Sequence, residues 1–321
     1  MTERTYILGL DIGGTKTAVV LGDRAGRVYE REQFGTRPER GCEATLADLC
    51  DRAGSVLARA QEQGRAPAVI SVSIGGPLDI ERGIIYSPPN LPGWDAVPLK
   101  ELLEKRFGLP VHVEHDGNAG ALAEWYFGAA RGARNVIFLT MGTGFGGGLI
   151  LNGRLYRGTS DLAAEVGHVR MAETGPTAYG KSGSWEAFCS GTGIRRLAAL
   201  RFPQRWSQTE VSVRELAELA AAGDADALAL FEESGRYLGR GLAMLLDVLN
   251  PEVVVIGSLA VRLGELVLRP AREEMQREAL AGAVDACRVV PAALGERIGD
   301  VAALCAGIAA LGGPTESCPL E

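Results

Sequence analysis

Two glycine-rich turns, one in each half of the chain, carry residue types that grip phosphate. The first is Asp11-Ile12-Gly13-Gly14-Thr15-Lys16; the second is Gly142-Thr143-Gly144, within Leu139–Gly148. In each, an apolar run enters a tight turn of small residues and a second apolar run leaves it. Glycine reaches positive φ and lets backbone N–H groups crowd an anion. The first turn is not a P-loop, which needs G-x-x-x-x-G-K-[ST] leading into a helix; here the glycines join two strands. Phosphate would be held by turn amides, the Thr15 hydroxyl and the Lys16 ammonium. Asp11 could hold Mg2+, directly or through water, because a hard cation prefers oxygen. The plain alternative is a structural hairpin with an exposed lysine. The pairing of two such turns points instead to two similar lobes holding one phosphate chain.

Carboxylates and imidazoles cluster at three further places. Asp116, in Glu114-His115-Asp116-Gly117-Asn118, ends an apolar strand and begins a helix. It reads as a helix N-cap or as a general base taking the proton of an attacking hydroxyl. Glu165 and His168 stand three residues apart, and Glu186 follows Gly183-Ser184-Trp185. By residue type alone these are polar surface groups, or groups presented to sugar hydroxyls. The chain has only His112, His115 and His168, and two of the three fall in these segments.

The elements that must position these residues alternate between strand and helix, which predicts an α/β fold. Tyr6–Ile12 and Thr17–Leu21 read as strands around the first turn, and Asn135–Met141 and Gly148–Asn152 as strands around the second. Glu43–Gly64 carries apolar residues at helical spacing. Ala68–Ile74 and Val111–Glu114 read as buried strands. Val97–Phe107, Ala119–Gly128, Val211–Gly223, Ala225–Leu249 and Asp300–Leu311 read as helices, and Val253–Ile256 as a strand. We expect a first lobe over 1–116, a second over 117–299, and a last helix, 300–321, returning to the first.

Composition sets outer bounds. A chain of 321 residues exceeds the size at which a single core stops growing, so two domains are expected. Hydrophobic content of 46% with 23% charged residues is ordinary for a globular protein. Net charge is −7 with no basic run, which argues against nucleic acid as a partner. No window reaches the ~18 apolar residues of a membrane span, and the N-terminus lacks a signal-peptide pattern. The expected setting is cytoplasmic, with the six scattered cysteines, Cys42, Cys50, Cys189, Cys287, Cys305 and Cys318, as free thiols.

Taken in order, Asp11–Lys16, Gly75-Gly76-Pro77, Asn90-Leu91-Pro92-Gly93-Trp94, Asp116-Gly117-Asn118-Ala119, Gly142–Gly148, Glu165-Val166-Gly167-His168 and Glu186 resemble the ROK family (repressors, open reading frames and sugar kinases). The resemblance runs from Tyr6 to about Leu311. It implies the two-lobed actin-like ATPase (ribonuclease H-like) fold with a cleft between the lobes, and an ATP- and Mg2+-dependent hexose kinase, a glucokinase in the first instance. It implies Asp116 as catalytic base. Gly76, Asn90, His115, Asn118, Glu165, His168 and Glu186 would line the sugar site. Asp11, Gly13, Gly14, Thr15, Lys16, Gly142, Thr143 and Gly144 would serve the phosphates, and Gly257, after strand Val253–Ile256, the adenosine. A homodimer is implied as well.

Three departures from the family pattern bear on the chemistry. Thr177, Tyr179 and Ser184 occupy positions where typical members carry three zinc-binding cysteines, so no zinc is expected, and Tyr179 and Trp185 would fix the loop by packing. His115 replaces an asparagine common beside the base. Gly257-Ser258 replaces a pair of glycines. The alternatives are an N-acetylglucosamine or N-acetylmannosamine kinase, a fructokinase and, more remotely, a non-catalytic sugar-binding regulator. Repressors of the family carry a helix-turn-helix domain before the first turn; only ten residues precede Asp11, so direct DNA control is not expected.

Overall fold

The computed structural model describes residues 4–208 and 211–315, so Cys318 lies outside the described residues. The chain divides into two compact units. One holds 1–131, 157–163 and 296–321, and the other 132–156 and 164–295.

The first unit is built on a five-stranded sheet. A meander of β1 (Tyr6–Ile12), β2 (Lys16–Asp23) and β3 (Val28–Gly35) is antiparallel, and β4 (Pro67–Ile74) and β5 (Val111–His115) extend it in parallel, in the order β3-β2-β1-β4-β5. Strands β1 and β4 are buried along almost their whole length, as expected of strands covered on both faces. Helix α1 (Cys42–Glu62) packs through Leu49, Ala53, Val56 and Ala60, a stripe at helical spacing, and α2 (Leu99–Phe107) buries Leu99 and Leu103. The last helix, α9 (Ile298–Ala310), is buried from Val301 to Ile308 without a break, because it lies on β1 and β4 and also meets helix α3 (Asp116–Phe127). A Cβ on Gly307 would come within 3.1 Å of Ile7, Val69 and Ser71, so this helix approaches the sheet at backbone distance. The expected lobe boundary at 116/117 falls at the start of α3. That helix packs on α9, and the chain stays with the first unit through Arg131.

The second unit repeats the same plan. Strands β6 (Val136–Met141), β7 (Phe145–Leu151) and β8 (Arg154–Tyr156) form the meander, and β9 (Val253–Ile256) and β10 (Arg288–Pro291) add in parallel, in the order β8-β7-β6-β9-β10. Its helices include α4 (Trp185–Cys189), α5 (Gly191–Arg201), α6 (Val213–Ala221), the long α7 (Ala225–Leu249) and α8 (Glu265–Glu278). Helix α7 passes close to its neighbours at glycines. A Cβ on Gly239 would lie 2.4 Å from the Ala271 carbonyl of α8, and one on Gly241 would lie 2.1 Å from the Trp185 ring of α4.

Candidate active site

In the first unit, the parallel strands bring their carboxyl ends to one edge of the sheet, where ligands bind in open α/β sheets. Register pairs Asp11 with Ser73 and Ile74 with His115, and the chain continues into Gly75-Gly76 and Asp116. The Asp116 side chain is 54% exposed. A Cβ on Gly76 would lie 3.0 Å from the His115 ring, so that glycine leaves room for the imidazole, and Gly75 lies within van der Waals reach of Asp116 Oδ2. The N-cap of α3 is His115, not Asp116: its Nδ1 accepts from the Gly117 amide at 3.2 Å. A neutral ring used in this way carries its proton on Nε2. Asp116 is the first helical residue, and its Oδ1 accepts from the same amide at 2.7 Å.

Asn118 does not join Asp116 at the surface. Two residues along a helix turn the side chain by about 200°, and Asn118 is buried with its Nδ2 donating to Glu114 Oε1 at 2.8 Å. Glu114 is buried too, and its Oε2 accepts from Arg157 Nε at 3.0 Å and Nη2 at 2.6 Å.

The first glycine turn lies on the same edge. The Gly13 amide closes the turn on the Lys16 carbonyl at 3.0 Å, and the Thr15 and Lys16 side chains are exposed. Gly14 is pressed against the Asn90 loop: a Cβ there would stand 2.5 Å from the Asn90 Cβ. That loop is anchored by Leu91 and Trp94, both in the first core, while Asn90 stays exposed.

Asp11 is half-buried, with the start of α9 against it; a Cβ on Gly299 would be 2.9 Å from its Oδ2. Burial, then the charges of Asp116 and Asp300, push its carboxyl up to about 7, against a hydrogen bond from Ser73. A site with this excess of negative charge suits a cation. Mg2+ in particular takes one or two carboxylates and completes its shell with water and phosphate. Among the described residues there is no group of three or more His, Cys, Asp or Glu that could hold a metal on its own.

The second unit gathers the remaining candidates around its own glycine turn. The Gly142 amide donates to the Gly144 carbonyl at 2.9 Å, and the start of α5 rides on the turn through Gly191 N–H to the Gly142 carbonyl at 2.8 Å. Glu186 Oε2 accepts from the Phe145 amide at 3.0 Å, just beyond the turn. In Glu165-Val166-Gly167-His168, glycine is required by packing: a Cβ on Gly167 would sit 2.1 Å from the Phe145 carbonyl and 3.3 Å from the Glu186 Cβ. Glu165, His168 and Glu186 thus belong to one cluster. Burial raises the Glu186 carboxyl, while the Phe145 amide and His168 draw it back down. Gly257 is bonded through its amide to the Leu139 carbonyl at 2.8 Å, beside the turn. Ser258 keeps a φ of +56°, the region that favours the glycine of the family pattern.

The loop that would carry zinc does not fit the metal. Thr177, Tyr179 and Ser184 offer hydroxyls where zinc takes thiolates, and Ser184 Oγ is already the N-cap of α4, accepting from the Ala187 amide. Sequence reasoning missed Ser73, Asp300 and Arg157, which touch or charge the first cluster. Only an acidic residue opening the last apolar helix hinted at Asp300.

The family model described as ROK family matches residues 7–307. A glucokinase from Halalkalibacterium halodurans is 32% identical over 315 residues, 93% of each chain. Among solved structures, a ROK hexokinase from Thermus thermophilus superposes with a TM-score of 0.81 at 35% identity, covering 94% of this chain and 97% of that one. A ROK family glucokinase from Streptomyces griseus in complex with glucose and AMPPNP gives 0.76 at 34% identity, covering 94% and 98%.

Proposed function

The chain belongs to the ROK family, and from that premise we propose that it transfers the γ-phosphoryl group of ATP to a hexose, with the 6-hydroxyl of glucose as acceptor. The observation that carries the reading is Asp116, an exposed carboxylate at the carboxyl edge of the parallel strands. The Gly117 amide ties Oδ1 and leaves Oδ2 as the proton acceptor. As the hydroxyl oxygen bonds to the γ-phosphorus, its proton passes to Asp116 and the bond to the β-phosphate oxygen breaks, releasing ADP. The transition state is loose and charge-rich, so positioning and charge stabilisation supply most of the acceleration. Mg2+, held by Asp11 directly or through water, offsets charge on the phosphates when bound.

Thr15, Lys16 and the amides around Gly13-Gly14 are assigned to phosphate in the first unit, and Gly142-Thr143-Gly144 in the second, with Gly257 assigned to the adenosine. Gly76, Asn90, His115 and the buried Asn118 in the first unit, and Glu165, His168 and Glu186 in the second, are assigned to the hexose. A cytoplasmic homodimer without bound zinc or nucleic acid completes the reading. The five described cysteines are free thiols, which suits a reducing compartment. No helix among the described residues is long and apolar enough to cross a membrane.

A coupled assay over glucose, fructose, N-acetylglucosamine and N-acetylmannosamine, with ATP and Mg2+ and with polyphosphate replacing ATP, tests the proposal. The highest kcat/KM is expected for glucose with ATP. A higher value for an N-acetylhexosamine or fructose would reassign the substrate. Saturable sugar binding without turnover would make the chain a sugar-binding regulator.

A further inference from the structure

We propose that Tyr179 is a positioning residue for the hexose site: from the tip of a hairpin its ring holds the His168 imidazole in place. The inference rests on the assignment of His168 to hexose.

The hairpin pairs Thr177 with Ser182 and Ala178 with Lys181, leaving Tyr179 and Gly180 as its two turn residues. Their φ values are +47° and +72°. A two-residue turn with both central residues at positive φ is the type that Asn-Gly fills without strain. A bulky aromatic residue in the first position is strained, and such outliers persist where the surroundings use them. Here the use is visible. The Tyr179 and His168 rings are stacked, with centroids 5.9 Å apart and planes 27° apart. The Tyr179 hydroxyl reaches the second glycine turn: a Cβ on Gly144 would be 3.7 Å from it and 3.2 Å from Glu186 Oε2.

One bond ties the hairpin to the backbone of the same histidine, and others fix the hairpin itself. The Lys181 ammonium donates to the His168 carbonyl, and the Arg196 guanidinium donates to the Thr177 carbonyl. Ser182 Oγ donates to the Gly175 carbonyl at 3.0 Å, and the Gly183 amide to the Pro176 carbonyl at 2.9 Å. These bonds fix main chain and leave the ring of the exposed His168 to turn about its own side-chain torsions. The Tyr179 face restrains that rotation.

Two variants separate this role from a structural one. Tyr179→Asn removes the ring yet installs the favoured turn pair, and Tyr179→Phe keeps the ring. Each is read by steady-state kinetics, by thermal unfolding, and by the His168 ring-proton resonance in the unliganded protein, assigned through His168→Gln. Tyr179→Asn is expected to keep or raise Tm, to raise the hexose KM by roughly tenfold with little change in kcat, and to move the His168 resonance downfield as the stack is lost. Tyr179→Phe is expected to keep both the KM and the resonance of the starting protein. An unchanged KM or an unmoved resonance in Tyr179→Asn overturns the proposal, as does a Tyr179→Phe variant equally impaired. Should the starting protein phosphorylate no hexose, the assigned activity fails, and the resonance alone decides whether Tyr179 holds His168.

Discussion

The Phe145 amide donates to Glu186 Oε2 at 3.0 Å, so the strand leaving the second glycine turn is fixed by a carboxylate assigned to the hexose. Gly144 has no side chain at the point where one would press on that same oxygen. Phosphate turn and sugar ligand are therefore parts of one local assembly in the second unit. Glu186→Gln keeps an oxygen acceptor for Phe145 and loses the charge, whereas Glu186→Ala leaves a buried N–H unpaired, at about 1–3 kcal/mol. Glu186→Gln should raise the hexose KM with the ATP KM near its original value. Glu186→Ala should raise both and lower Tm. Identical ATP KM values for the two variants would break the link between ligand and turn.

Asp116 offers a cleaner separation of binding from chemistry. Its Oδ1 accepts from the Gly117 amide at 2.7 Å, a bond that an asparagine carbonyl can also accept, and its side chain is mostly in solvent. Asp116→Asn should therefore fold normally and bind hexose and ATP within a few-fold of the original, while kcat falls by about 10²–10⁴ for loss of a general base. Isothermal titration alongside single-turnover rates would check this. Near-normal turnover would remove Asp116 from its assigned role.

Asp11 predicts a stability that depends on pH in an unusual direction. Burial, with Asp116 and Asp300 nearby, raises its carboxyl from 3.8 to about 7 in the folded chain. Between those values the folded state keeps a proton that the unfolded state has released, so stability falls as pH rises. The contribution is complete below about pH 4 and is lost as pH climbs through about 7. Asp11→Asn remains neutral throughout. In metal-free buffer the variant should match the original protein near pH 4 and exceed it in Tm near pH 8. Added Mg2+ should then stabilise only the original. A Tm difference that does not vary with pH would contradict the placement of Asp11.

Much of this was legible from the chain because it depends on local pattern. Apolar runs meeting Gly13-Gly14 and Gly142-Thr143-Gly144 marked both hairpins, and Val253–Ile256 and Ala225–Leu249 declared themselves by unbroken apolar content and by helical spacing. What the chain withheld depends on register and on distant partners. Nothing local shows that Asp11 pairs with Ser73 across β1 and β4, or that the first turn of α9 lies against it. Nor does anything local show that His115 caps α3, because the N-cap pattern points to the aspartate after it while an imidazole nitrogen does the same work. Asn118, which the resemblance assigns to the sugar site, is carried inward by the helical turn and buried, and nothing local shows that.

The pairing of Glu114 with Arg157, 43 residues apart, had no sequence signal and yields the last prediction. Glu114 immediately precedes His115 and Asp116, and its side chain is 1% exposed. One oxygen accepts both guanidinium bonds of Arg157, and the other accepts from Asn118 and from the His115 amide. Removing one partner of a buried pair strands a charge, at about 3–5 kcal/mol. The Arg157 side chain is 37% exposed, so water can replace part of it and the lower end of that range is expected. Arg157→Ala should destabilise the protein in urea unfolding by about 3 kcal/mol. Adding Glu114→Gln should recover a substantial part, because the stranded charge is gone and Asn118 and the His115 amide still find an acceptor. A loss below about 1 kcal/mol for Arg157→Ala, typical of surface pairs, would show that Glu114 does not depend on this arginine to sit beneath Asp116.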